Sequence, residues 1–280
     1  EMYLEVYLLL KIDKIYLIDG ESHIDDMGKD PSSLNKFYQF LKEGKLPSTS
    51  QVNEFQYEEY FRNLLKQGHN VLHIAFGSGM TQSVNQAYLA AEIVRKEFPN
   101  QDLIVIDSVC SSSGYGMLVD DAYDLMQEGK DIKEIVSWIE ENKTKIQHQF
   151  YSTDLKYLKR GGKVLGPAAT VGSILHFCPL MRLNYAGRII AYSKVIGKKK
   201  AIKSIVDEME AHAENGLNYA GKVFISNSNC LADAEMCKQE ILKRFPNIKE
   251  IKIFDIGTVI ASHTGPGTVA LFFHGDERIK

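Results

Sequence analysis

Short β-branched runs alternate along the chain with longer segments whose apolar residues return every three or four positions. The runs are "IYLID" (15–19), "VLHIAF" (71–76), "LIVIDS" (103–108), "RIIAYSKVI" (188–196), "KVFIS" (222–226), "IKIFDI" (251–256) and "VALFF" (269–273), and their length and composition predict strands. Helices are predicted over 83–98, 115–128, 131–146, 199–214 and 231–244. In the first of these, Val84, Ala87, Tyr88, Ala91 and Val94 fall on one face, as a half-buried helix requires.

Strand–helix alternation with apolar flanks predicts an α/β fold with parallel-type sheets flanked by helices. The stretch from Ile146 to Tyr157 is polar and mixed, and the pattern restarts after "RGGKVLGP" (160–167). Two α/β domains are therefore expected, over 1–150 and 151–280. No low-complexity linker separates them, so the halves should pack closely. The 280 residues, 44% of them apolar, are enough for two modest cores.

A formal net charge of -3 provides no positive field for nucleic acid or an anionic membrane surface. No apolar run approaches the roughly 20 residues that span a bilayer. The opening stretch carries Glu5, Lys11, Asp13 and Lys14, unlike a signal peptide or a stable membrane insertion. Cys110, Cys178, Cys230 and Cys237 lack Cys-x-x-Cys spacing, which suggests space-filling thiols in a reducing, cytoplasmic setting. His73, His148 and His176 show no paired ligand spacing, so neither a metal nor a cofactor is expected.

Ligands of open α/β sheets gather where loop amides and helix amino termini converge. Four polar loops have that position: "LPSTSQ" (46–51), "FGSGMTQS" (76–83), "DSVCSSSGYG" (107–116) and "SHTGPGT" (262–268). In the second, Gly77 and Gly79 give only the start of a dinucleotide fingerprint, with Gln82 in place of the third glycine and no lysine for a P-loop. A nucleophile elbow would need glycine where Phe76 stands, though a serine hydrolase of small esters using Ser78 is the alternative enzyme reading. Neutral hydroxyls and amides at a helix start suit a carboxylate. Equally, Thr81 and Ser83 could simply cap the helix.

His263 precedes two glycines that permit close backbone approach. Lys198, Lys199 and Lys200 open a predicted helix, where they form a solvated face or meet an anionic partner. Arg160 and Lys163 flank a Gly-Gly turn.

Taken in order, "STSQ" (48–51), "SGMTQS" (78–83), "DSVCSSSGYG" (107–116), "LKRGGKV" (158–164), "KVIGKKKAI" (194–202) and "SHTGPGT" (262–268) resemble the DegV family. Its members are bacterial cytoplasmic lipid carriers, including the fatty-acid-binding subunits of fatty acid kinase. The resemblance implies a non-catalytic, two-domain α/β carrier with no cofactor. A long-chain fatty acid would lie in a tunnel enclosed by apolar helices of the second half, its carboxylate near the domain junction. Thr49 matches the family's threonine that bonds the carboxylate, Thr81 its loop serine and His263 its histidine. The amides of Ser78 and Gly79 would complete the cradle.

Three departures accompany the match. Gln82 replaces the glycine after the loop serine. The family's Asp-Ser-Thr segment is absent, so either the first strand is missing or the chain is incomplete. Ile196 stands where kinase-associated members carry a docking arginine, which bears on a fatty acid kinase catalytic subunit as partner.

Overall fold

The computed structural model of the chain describes residues 14–26, 28–165 and 177–280; residues 1–13 and His176 lie outside the described residues. In chain order the first half comprises β1 (Ile15–Ile18), β2 (Glu21–Ile24), α1 (Pro31–Lys42), β3 (Ser48–Thr49), α2 (Glu54–Leu65), β4 (Val71–Ala75), α3 (Ser83–Glu97), β5 (Leu103–Asp107), α4 (Ser112–Gln127) and α5 (Ile132–Asn142). Then come β6 (Ile146–Ser152), α6 (Lys156–Arg160), β7 (Val164–Leu165), β8 (Phe177–Leu183), β9 (Ile189–Ile196), α7 (Lys198–His212), β10 (Val223–Asn227), α8 (Leu231–Arg244), β11 (Ile251–Asp255), α9 (Thr258–Thr264) and β12 (Thr268–His274).

The helices start where the sequence offers caps. Asn53 accepts from the Gln56 amide while the Gln56 side chain accepts from the Asn53 amide, and Asp131 and Glu134 repeat this capping box at α5. α3 buries Val84, Ala87, Ala90, Ala91 and Val94. Tyr88, expected on that face, is 39% exposed, and its hydroxyl accepts from the Asp107 amide.

The strands form a small antiparallel sheet β2-β1-β3, the pair β4-β5, and a seven-stranded sheet β11-β10-β12-β6-β8-β9-β7. The α/β class holds. Among the described residues parallel pairing is confined to β4-β5, β10-β11 and β7-β9; the other pairings are antiparallel, which corrects the parallel-type part of the expectation. A short turn joins β8 to β9 and so makes them antiparallel, and β12 inserts between β10 and β6 antiparallel to both.

Residue 150 falls within β6, which is buried along its whole length. That stretch reads as polar and mixed because Gln147, His148 and Gln149 occupy it, yet the large sheet has helices on both faces. Along β12, Val269, Leu271 and Phe273 pack towards α7 and α8, while Ala270 and Phe272 join the core of α2 to α5 and β4-β5. A third cluster of Tyr16, Ile18, Phe37, Tyr38 and Leu41 packs on Tyr157, Ile256 and Ala261. The four polar loops lie where this cluster meets the core of the first half.

Candidate functional site

The parallel strands β4 and β5 end side by side at Ala75 and Asp107, which delivers loops 76–83 and 107–112 to one place. Their glycines serve backbone approach. A Cβ on Gly77 would fall 2.7 Å from the Cys110 carbonyl oxygen, and one on Gly79 would collide with the backbone of Gly187 in the β8-β9 turn. The turn's amides are largely spoken for: Gly77 donates to Cys110 O (3.0 Å), Met80 to Gly77 O (2.9 Å) and Ser78 to Asp107 Oδ1 (3.0 Å). A phosphate cradle of free amides is not what this loop offers.

In front of these loops lies a cavity of about 630 Å³, within the roughly 300–1,000 Å³ typical of small-molecule sites. Each of the four polar loops contributes to it: Thr49, Ser78 to Gln82, Ser111 and His263 all line it. Apolar wall comes from Phe76, Met80, Leu158, Ile189, Val259 and Ile260. No Asp or Glu is among the described residues lining it.

Two threonine hydroxyls belong to the cavity lining. Thr81 Oγ1 accepts from the Ser83 amide at 3.2 Å, one residue ahead of the N-cap, which is Gln82 and not the expected Thr81 or Ser83, and its own proton has no acceptor among the described residues. Thr49 Oγ1 lies 2.9 Å from His263 Nε2. β3 holds Thr49 against Tyr16 of β1, whereas His263 sits in the last turn of α9 rather than in the loop the sequence suggested.

His263 is neutral near pH 7: burial pushes its imidazole down to about 4, and nearby Lys163 and Arg160 add to the effect. Lys163 Nζ donates to Met80 O at 2.6 Å, and burial lowers its ammonium below the ordinary lysine value. Arg160 Nη2 donates to Pro47 O (2.6 Å) and Ser262 O (3.2 Å). Both cations are thus met by carbonyl dipoles, and the cavity end is positive.

A family profile described as "Uncharacterised protein, DegV family" matches residues 15–276. The chain belongs to the DegV family. A DegV domain-containing protein of Clostridium perfringens is 39% identical over 261 residues, 93% of this chain and 88% of that one. Among solved structures, a fatty acid binding DegV family protein of Streptococcus agalactiae is 28% identical with a TM-score of 0.79, covering 95% of this chain and 91% of that one. A Thermus thermophilus DegV structure described by its fatty acid binding is 27% identical with a TM-score of 0.81 over the same shares.

In this DegV chain all five residues singled out from sequence, Thr49, Ser78, Gly79, Thr81 and His263, line the one cavity. The Ser78 amide, expected to face a ligand, is instead turned to Asp107. Gln82, at the departure from the family pattern, is the exposed cap of α3 and also lines the cavity. Lys163 and Arg160, read as a turn, reach the site from α6 and its following turn. Their partners Met80 and Pro47 are more than eighty residues away in sequence, so no local pattern could have assigned them. Ile196 ends β9 64% exposed, and Lys198 pairs with Asp233 at 2.6 Å. Among the described residues no helix is long and apolar enough to cross a membrane.

Proposed function

We propose that the chain binds a long-chain fatty acid, with the carboxylate held by the Thr49 and Thr81 hydroxyls and the alkyl tail against the apolar wall. The observation that carries this reading is the joining of two hydroxyls, a neutral histidine and a lysine in a cavity that, among the described residues, no Asp or Glu lines. With its proton on Nε2, His263 donates to Thr49 Oγ1 and leaves the threonine proton for the ligand. Lys163 balances the charge that such a ligand carries inward, which an unpaired carboxylate could not otherwise tolerate without a cost of several kcal/mol.

The tail supplies most of the affinity. About 14 methylenes at roughly 0.8 kcal/mol each give up to about 11 kcal/mol before ordering costs. In this reading the part spanning 1–150 presents the hydroxyls, and the part spanning 151–280 presents His263, Lys163 and much of the apolar wall. A non-catalytic carrier is favoured over the Ser78 hydrolase by the pairing of the imidazole, whose hydrogen bond goes to Thr49 and not to Ser78. Presentation of the acid to a fatty acid kinase catalytic subunit for acyl-phosphate formation is less well supported than binding, because Ile196 stands at the position of the docking arginine. The four free cysteines accord with a reducing, cytoplasmic setting.

Denaturing extraction of the purified protein followed by mass spectrometry should recover an acyl lipid in stoichiometric amount; an empty extract speaks against the reading. Thr81→Val should weaken palmitate binding by about 2 kcal/mol, roughly 30-fold in Kd, with 1-hexadecanol less affected and Thr81→Ser close to wild type. Equal losses for acid and alcohol would place the carboxylate elsewhere.

A further inference from the structure

Behind the cavity lies a buried cation that none of the head-group contacts uses. Arg278 is 3% exposed and has no carboxylate partner among the described residues. Its Nη2 donates to Val109 O at 2.9 Å and, more weakly, to Lys143 O at 3.4 Å; Nη1 faces Cys110 Sγ at 3.9 Å. Its Nε is unpartnered. Nη1 is also 3.4 Å from His148 Nδ1. That nitrogen carries the ring proton, because Nε2 accepts from the Ser111 amide and Nδ1 donates to Ile146 O, so it offers the guanidinium no lone pair. The guanidinium is therefore held in place almost wholly by the carbonyls of other segments. Its backbone is tied down separately, Arg278 N donating to Thr144 O at 3.0 Å and Ile279 O accepting from Tyr185 N at 2.6 Å.

The carbonyl it grips belongs to a strained residue. Val109 has φ +48°, a left-handed conformation costly for a β-branched side chain. From that kink the chain passes through Cys110, whose carbonyl accepts from Gly77 N, to Ser111 at the cavity wall. The Val109 and Ser78 amides share Asp107 Oδ1, and Gly187 packs on the Val109 carbonyl. Loops 76–83 and 107–112 are consequently coupled through Asp107 Oδ1 and Cys110 O, on either side of the carbonyl that Arg278 holds.

Resting on the carboxylate reading above, we propose that Arg278 is a positioning residue for the head-group cavity: by fixing Val109 in its left-handed conformation it aligns Ser111 and the Gly77–Thr81 turn for the ligand's carboxylate. It touches no ligand itself. Glycine adopts that conformation freely, so Val109→Gly should make Arg278 dispensable.

The test is a double-mutant cycle of Arg278→Met and Val109→Gly, with palmitate and 1-hexadecanol as probes. Arg278→Met should weaken palmitate about 10-fold while hexadecanol changes less than about 2-fold. In the Val109→Gly background the palmitate loss should shrink to about 2-fold or less. Equal losses for both probes, or an undiminished loss in the glycine background, would overturn the proposal. If Arg278→Met does not fold, Arg278→Lys, which keeps the charge and loses the forked donor pair, runs the same cycle with the same expected pattern. A wild-type protein with no preference for the acid overturns the carboxylate reading and this proposal with it. A wild-type preference untouched by Arg278→Met overturns this proposal alone.

Discussion

His73 is a sharp test of how burial controls charge in this fold. It points from β4 into the first core, 4% exposed, with its ring edge-on to Tyr57 at 5.3 Å and to Phe61 at 5.4 Å. Its Nε2 has no partner. Burial pushes the imidazole from 6.5 down to about 4, with Lys14 a second, smaller cause. The folded value lies below the unfolded one, so acid favours the unfolded chain: stability is complete above pH 6.5, falls as pH drops through the window between the two values, and levels off below about 4. The full penalty is about 3 kcal/mol, of which about 2 kcal/mol is reached at pH 5. His73→Phe keeps the ring contacts and removes both the titration and the unpaired nitrogen. Urea unfolding of wild type and variant at pH 8 and pH 5 gives the difference directly, since the other buried histidines are common to both. The variant should lose about 2 kcal/mol less than wild type between these pH values. Identical losses would show that His73 does not titrate as its burial demands.

Two glycines should respond in opposite directions. In Gly79→Ala the new methyl meets the backbone of Gly187 and Ala186, so thermal unfolding should come earlier, by about 2 kcal/mol of stability, and palmitate binding should weaken as the turn shifts. Gly116→Ala, in the interior of α4 with nothing within 4 Å of the added carbon, should stabilise by about 0.5–1 kcal/mol. Gln149 is fully buried in β6 with neither amide atom partnered. Gln149→Met should therefore raise stability by about 1 kcal/mol or more in urea titrations; a fall would mean that the amide is satisfied in solution.

What could be read from the sequence follows from which forces leave a local trace. α8 spans the predicted 231–244, because its apolar period and its burial agree. β4 and β5 were found within one residue for the same reason. β6 leaves no apolar trace because Gln147, His148 and Gln149 are buried in it, the first two satisfied by distant groups: Gln147 Nε2 donates to Asp276 O at 2.8 Å, and His148 accepts from Ser111. α2 has no place among the predicted helices, although Asn53 and Gln56 form a capping box that the sequence contains. The hydroxyls and the histidine of the candidate site came from resemblance, while Lys163, Arg160 and Arg278 act across more than eighty residues of chain.

The loop "FGSGMTQS" shows why small residues at a strand–helix junction do not by themselves name a ligand. Gly77 and Gly79 are small so that backbone can meet backbone, and the amides of Gly77, Ser78 and Met80 are spent on Cys110, Asp107 and Gly77. A phosphate needs several free donors around three oxygens. The loop retains side-chain protons instead, and the positive charge arrives from Lys163 on another segment. Two neutral hydroxyls and one ammonium match two oxygens sharing a single charge. Under the proposed reading, selectivity for a carboxylate over a phosphate monoester therefore comes from how much of the loop's own hydrogen bonding is already used in folding it.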